Sequence, residues 1–236
     1  MKKLIRKILR ESKNDQGREL WLKQAIKTVP AYSRILDAGA GELRNKPLCV
    51  HLDYVSQDFC QYEGQGDGKG LQNGIFDTSR VDIVCDITAI PEENASFDAI
   101  LCSEVLEHIP DPTKALDEFS RLLRPGGRLI LTAPFASFVH MAPYHYSSGF
   151  SRYWYEHHLT QRGFKILGLE QNGDWFDFLH QELGRLGSMA RSAGHKAWPL
   201  AYAVGILGAI YFKLRGPNRR DSDLACFGWH CLAEKI

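Results

Sequence analysis

A chain of 236 residues, 44% hydrophobic and with a formal net charge of +1, can bury a full α/β core without metals or disulfides. The near-neutral charge gives no electrostatic reason to expect a nucleic-acid partner. Six cysteines form no C-x-x-C pair, which excludes an obvious zinc site or disulfide framework and points to reduced core thiols in a cytoplasmic protein. The first residues also lack the apolar run of a secretory signal. In chain order, residues 1–13 predict a short basic helix with Leu4, Ile5, Ile8 and Leu9 on one face. Residues 17–28 predict an amphipathic helix closed off by Pro30. A buried strand over 32–36 then meets a turn that opens at Asp37 and contains Gly39 and Gly41. A second strand, 49–57, ends at Asp58, and a loop rich in Gly, Asp and Gln fills 61–74. Strands over 81–87 and 97–104 follow, then a helix over 113–123, a turn at 124–127 and a strand over 128–133. Residues 134–153 read as irregular and aromatic, 155–162 as a helix and 164–170 as a strand. An inserted helical region at about 174–224 precedes a last strand over 227–233. The alternation over 32–133 implies an α/β fold, with a parallel sheet covered by helices on both faces.

The turn after the first strand carries the first chemical signal. Its two glycines are spaced G-x-G, which lets the backbone approach a ligand closely. Asp58 follows Asp37 by 21 residues, the spacing at which a βαβ unit offers a carboxylate to ribose hydroxyls. The dinucleotide fingerprint wants Gly or Ala where this chain has Arg44. Asp37 and Glu42 also make the turn acidic, a poor place for a pyrophosphate. A nucleoside cofactor with an ammonium and a sulfonium fits better, which is S-adenosylmethionine (SAM).

The segments ILDAGAGE (35–42), VDIVCDI (81–87), FDAILCSEVLEHIPDP (97–112) and RPGG (124–127), in this order and spacing, closely resemble the small-molecule class I SAM-dependent methyltransferases. The resemblance is in particular to the broad group that includes the ubiquinone-biosynthesis methyltransferases. The resemblance covers residues 30 to about 170 and resumes over 226–235. Its main departure is Leu43, where the pattern D-x-G-x-G-x-G ends in glycine. The resemblance implies a single domain over 1–236, with N-terminal helices in 1–29. Its sheet is expected to be doubly wound, seven-stranded and Rossmann-like, mostly parallel with an antiparallel last strand after the helical insertion. SAM is the implied cofactor and S-adenosylhomocysteine the product. Asp37, Gly39 and Gly41 would line the turn, and Asp58 with Phe59 would hold the ribose. Asp86 would address the adenine amino group with Ile87 on the ring, and Ser103 and Glu104 would flank the methionine tail. An acid in a turn is ordinarily a cap, but three at successive strand ends favour the cofactor.

Methyl transfer requires an aligned nucleophile and often a base. The loop after the fifth strand carries His140 and His145, and histidine is the side chain best tuned to act near neutral pH. His145, then His140, is the expected general base, against packing or lid hydrogen bonding as the plainer role. Glu104, Glu107 and His108 form an E-x-x-E-H set whose spacings of three and four would share one helical face and, with a lid histidine, hold a divalent metal. A structural role outweighs that reading, and no metal site is assigned. Residues 197–212 form an uncharged run of 16 between Lys196 and Lys213, short of the about 20 residues of a bilayer span. A helix packed on the domain, a homodimer contact and a shallow dip into lipid all stay open for it. Basic residues in 1–13 and 215–220 would suit an anionic surface, with a solvated charged face as the plain alternative. The expected activity is methylation of a small molecule, on oxygen, with a lipid-linked or glycan precursor accounting for the apolar insertion. A catalytically silent SAM-binding or membrane-associated assembly protein is the alternative. A nucleotide-dependent oxidoreductase is disfavoured by the acidic turn, and a nucleic-acid methyltransferase by the lack of an N/D-P-P-Y/F motif.

Overall fold

The computed structural model describes residues 13–215 and 224–236. The expected basic helix and basic stretch fall on residues 1–12 and 216–220, outside the described residues. Strands β1 (Arg34–Ala38), β2 (Asp53–Asp58), β3 (Ile83–Val84), β4 (Phe97–Ser103), β5 (Leu123–Pro134), β6 (Phe164–Asn172) and β7 (Gly228–Lys235) form one sheet. Its order is β3-β2-β1-β4-β5-β7-β6, and β7 runs antiparallel to β5 while β1 to β5 pair in parallel. This is the expected Rossmann-like α/β architecture. The central strands are apolar on both faces, as strands covered on both sides must be: Ile35, Leu36, Ala99 to Cys102 and Leu129 to Leu131 are all fully buried.

Helices are α1 (Lys13–Lys27), α2 (Pro112–Leu122), α3 (Arg152–Gln161), α4 (Trp175–Ser192) and α5 (Trp198–Arg215). Asp111 caps α2 by accepting from the Thr113 amide at 3.1 Å, and Pro112 opens it at the first position. The chain divides into two compact units. The larger comprises residues 20–170 and 228–236, with Leu22, Ile26 and Val29 packed on Ile35, Ala99, Leu101 and Ile130. In the smaller, the Asn172 amide donates to the Asn14 carbonyl (2.9 Å), and Lys13 pairs with Asp177 (2.8 Å). Helices α4 and α5 of that unit form an antiparallel hairpin, with Phe176 against Phe212 and Gly187 beneath the Tyr202 ring.

Several expected elements shift. β1 runs to Ala38, so Asp37 lies inside the strand rather than opening the turn. β2 starts only at Asp53, because Pro47 sets a 3-10 turn (Lys46–Leu48) where the second strand was expected to begin. The third strand shrinks to two residues. The turn at 124–127 is absorbed as a bulge: Phe97 pairs with Leu123, and Ala99 already with Arg128. The strand–helix alternation fails in the first two connections. Residues 39–52 carry only the 3-10 turn, and 59–82 carry no helix. Positive φ at Gly39, Gly41 and Leu43, then at five glycines between 64 and 74, is incompatible with a right-handed helix there.

Candidate active site

From β1 the chain moves outward to β2 and β3, then returns to place β4 on the other side of β1. Ligands of open α/β sheets bind at the carboxyl ends of the strands where the order reverses in this way. Asp37, the last residue but one of β1, lies there and is buried. Its Oδ2 accepts from the Tyr54 hydroxyl at 2.7 Å, and its Oδ1 is buried without a hydrogen bond of ordinary geometry. Burial pushes its pKa up to about 6, against pulls from Tyr54 and Asn45, with the nearby Asp58 charge adding to the rise. Gly39 follows at φ +76, its amide donating to the Gln57 carbonyl. A Cβ at that position would come within 2.5 Å of Val105 Cγ2, so only glycine lets the turn lie against the β4 end. Gly41 donates to Asp58 Oδ2 at 2.9 Å, and the Cys60 amide donates to Asp58 Oδ1, also at 2.9 Å. One carboxylate thus ties the β1 turn to the end of β2. Each of its oxygens keeps a second lone pair for a ligand hydroxyl.

This turn opens no helix, so it lacks the ready-made anion site that a pyrophosphate would use. A buried carboxylate oxygen with no hydrogen bond of ordinary geometry among the described residues, beside a glycine turn and with a second carboxylate 17 residues from Gly41, suits a cofactor bearing a cation and ribose hydroxyls. Leu43 takes φ +61, so the chain adopts at leucine the left-handed backbone that the missing glycine would have supplied. Ser103 Oγ and Thr132 Oγ1 lie 2.9 Å apart, and Thr132 donates to Glu104 Oε1 at 3.0 Å. Glu104 itself sits at φ +57, a strained backbone of the kind that collects at functional edges. Asp86 is set apart: exposed, two residues beyond β3, it caps its own turn by accepting from the Thr88 amide and hydroxyl. Ile87 beside it is buried. Phe59 meets the ring of Tyr144 edge-on at 4.9 Å and so joins the end of β2 to the loop after β5.

The lid brings His140 and His145 together with a third histidine, His108, from the 3-10 turn after β4. Their ring centroids are 4.7 Å (108–140), 4.8 Å (140–145) and 5.9 Å (108–145) apart. His108 Nδ1 contacts the Tyr144 carbonyl, and His140 Nδ1 contacts the Phe138 carbonyl at 2.9 Å. Burial holds His108 down at about 4, and burial and then His140 lower His145, so both are neutral at physiological pH. Glu107 is buried, with Oε1 3.8 Å from His108 Nε2 and 4.0 Å from His140 Nε2. The Tyr146 and Ser147 amides donate to its carbonyl, which anchors the lid.

Sequence reasoning missed what holds the lid from its other side. The loop over 61–74 pairs with it: the Leu71 amide donates to Val139 O and the Met141 amide donates to Leu71 O, both at 2.9 Å. Gly66 lies so close that a Cβ would be 1.9 Å from Ala142 O. The five glycines of that loop were the available signal. Tyr54, Thr132 and Tyr155 were missed as well, because they fall at core positions of their strands or helix. The Tyr155 hydroxyl is buried with no partner among the described residues, and burial, then the nearby Cys231, Glu104 and Glu107, keep it protonated.

A family model described as a methyltransferase domain matches residues 36–131. The ubiquinone biosynthesis O-methyltransferase of Xanthomonas axonopodis pv. citri (strain 306) is 45% identical over 106 residues, which is 44% of each chain. Its counterpart in Xanthomonas oryzae pv. oryzae is 46% identical over 63 residues, 27% of this chain and 26% of that one. The chain thus spans under half the length of these curated relatives. Solved structures share the fold over far more of the chain. The YcgJ protein of Bacillus subtilis superposes with a TM-score of 0.55 at 16% identity, covering 92% of this chain and 98% of that one. The geranyl diphosphate methyltransferase, solved with GPP and sinefungin, gives 0.52 at 14% identity over 94% and 77%. The [4+2]-cyclase SpnF gives 0.54 at 17% identity over 91% and 79%, so the fold alone does not fix the reaction. The matched segment, under half of the chain, contains the glycine turn, Asp58, Asp86 and the end of β4, so over residues 36–131 the chain is similar to known methyltransferase domains, and beyond it the likeness is one of fold.

Proposed function

We propose that this protein is a SAM-dependent methyltransferase acting on an oxygen of a small-molecule acceptor. The observation that carries this reading is the Asp58 carboxylate, buried and shared between the Gly41 and Cys60 amides at the reversal of the sheet. Bound SAM supplies a methyl group on a sulfonium, which leaves as S-adenosylhomocysteine once an acceptor oxygen takes the methyl. Asp58 orients the ribose, and Asp37 lends its charge to the cationic end. Asp86 and Ile87 meet the adenine, with Phe59, Ser103 and Glu104 completing the wall. His145, with His140 beside it, takes the acceptor's proton, since a neutral imidazole is free to accept one. Removing Asp58 leaves two inward amides unpaired as well as the ribose unheld. Calorimetric titration with SAM should show micromolar binding that Asp58→Ala weakens by roughly a hundredfold, the worth of two lost hydrogen bonds to a charged group. A folded wild-type protein that binds neither SAM nor S-adenosylhomocysteine would sink the reading and return the silent assembly role.

The finer expectation is an amphiphilic acceptor, such as a lipid-linked or glycan precursor, met by a cytoplasmic enzyme at a membrane surface. Its support is the apolar stripe of α5. Leu200, Val204, Leu207 and Tyr211 follow one helical face and are all exposed. No helix among the described residues is long and apolar enough to cross a membrane. Flotation with anionic liposomes should recover the wild type and lose a Leu200→Asp/Leu207→Asp variant. Equal recovery of both removes lipid contact, and sedimentation of the same pair then tests the stripe as a homodimer face.

A further inference from the structure

Resting on the SAM reading of the same sheet edge, we propose that Phe76 is a cofactor-contacting residue and that the loop it closes, residues 63–76, carries cofactor binding to the lid loop after β5. The two ends of this segment meet where the Gly74 amide donates to Gly64 O at 2.8 Å and the Phe76 amide to Glu63 O at 3.1 Å. A surface segment closed at its neck in this way is an Ω-loop. Its neck lies on the glycine turn. A Cβ on Gly41 would stand 2.7 Å from Phe76 Cζ, so the ring tip fills the space that a side chain would take there. The Gly41 amide donates to Asp58 Oδ2 at 2.9 Å, which brings a ribose on that carboxylate within reach of the ring. Phe76 is half-buried, and a ligand there covers what is still exposed. Tyr62, 1% exposed, meets the Phe76 ring edge-on with centroids 5.4 Å apart. Its hydroxyl accepts from the Asn73 amide at 3.1 Å, which ties the ring to the neck.

The tip of the Ω-loop lies on the lid. Besides the bonds between Leu71 and residues 139 and 141, Ala142 O accepts from the Asp67 amide at 3.0 Å and from Gln72 Nε2 at 3.2 Å. Between neck and tip the loop has almost no core of its own: of residues 61–76 only Tyr62 and Gly64 are buried. Its closed form depends on the contacts at its two ends, which puts it among the segments that open locally at low cost. A ligand that covers Phe76 binds the closed loop more tightly than the open one. Saturating ligand then lowers the open population by the ratio of those two affinities, and the lid loses its clamp less often. Cofactor binding changes how often the loop opens, not its shape. The link is reciprocal, so removing the ring weakens cofactor binding by about the same factor. The contact of an aromatic ring with a nucleoside is worth about tenfold. The lid is thereby firmest when the methyl donor is in place.

Amide hydrogen exchange of the full-length protein, with and without saturating SAM, tests the link. The Leu71 and Met141 amides form the loop-to-lid bonds, and both should exchange about tenfold more slowly with SAM. In Phe76→Ala, calorimetry should show SAM binding weakened about tenfold. At saturation the two amides of that variant should exchange as fast as without SAM. Ile75→Ala, at the 84% exposed neighbour, should leave both readings as in the wild type. SAM binding by the wild type without slowing at Leu71 and Met141 overturns the proposal, and that measurement needs no variant to fold. Slowing that persists in Phe76→Ala overturns the role of the ring. A folded wild-type protein that binds no SAM removes the cofactor reading itself, and the coupling falls with it.

Discussion

The glycine-turn side and the histidine-loop side of the carboxyl edge are built in different ways. The turn side is local. Asp37, Gly39, Gly41 and Asp58 fall within 22 residues and are joined by backbone amides and one buried carboxylate. The histidine-loop side is assembled from three separated loops. His108 comes from the end of β4, His140 and His145 from the segment after β5, and the glycine loop over 61–74 clamps them. A site made by one turn announces itself through spacing. A site made by loop-on-loop contact does so only through the backbone freedom it demands, here the glycines that let residues 64–74 press against 138–142.

The largest effect that would break the contrast lies at Asp37. Its carboxyl titrates at about 6, above the ordinary 3.8. Between those values the folded protein keeps a proton that the unfolded chain has lost. The resulting stability is fully present below 3.8 and is lost as pH rises through about 6. At neutral pH the buried charge therefore costs about 3 kcal/mol. Asp37→Asn should remove that cost, since the Tyr54 hydroxyl keeps an oxygen to donate to. Chemical denaturation at pH 7 should show the gain, and the pH dependence of stability between 4 and 6 should flatten. SAM affinity should fall about tenfold, the worth of one charge-assisted hydrogen bond. A more stable variant that binds SAM as well as the wild type does would mean that Asp37 holds no part of the cofactor.

A smaller effect would sharpen the contrast from the histidine-loop side. Gly66→Ala would drive a Cβ toward Ala142 O and disturb the lid without touching the glycine turn at 39–41. The expected result is an unchanged SAM affinity with turnover reduced roughly tenfold, in the range of overpacking costs of about 1–3 kcal/mol. Gly68→Ala is the matched control. Gly68 is at φ +75 in the same loop, but a Cβ there meets nothing within 4 Å. Equal losses in both would trace the effect to backbone strain and not to the clamp.

Legibility in the sequence follows the same divide. β1, β4 and β5 are read from apolar runs because both faces of a central parallel strand are buried, and Asp111-Pro112 marks α2 by its cap. β2 and β3 are over-read. Cys49 and Leu52 look like strand residues, but they belong to the turn that packs under α1. Asp86 shares the spacing of its fellow acids, but its exposure and its hydrogen bond from Thr88 are not legible in that spacing. His140 and His145 could be named because they share one loop, whereas the convergence of His108 on them depends on a 3-10 turn that periodicity does not signal.

Leu43 gives the smallest effect and the finest test of the turn side. It stands where related patterns carry glycine, it is 8% exposed, and it holds φ +61. Left-handed backbone costs a leucine about 1–2 kcal/mol, while burial of its side chain contributes about 1.5–3 kcal/mol. Leu43→Gly loses the burial and relieves the strain, so its stability should fall by only about 1 kcal/mol. Leu43→Ala loses the burial and keeps the strain. Alanine should therefore be the worse replacement by about 1 kcal/mol, the reverse of the usual order in regular structure. Urea denaturation of the three proteins decides the matter. If alanine is the better tolerated, the turn is not held at positive φ, and leucine there does not replace a glycine's backbone role.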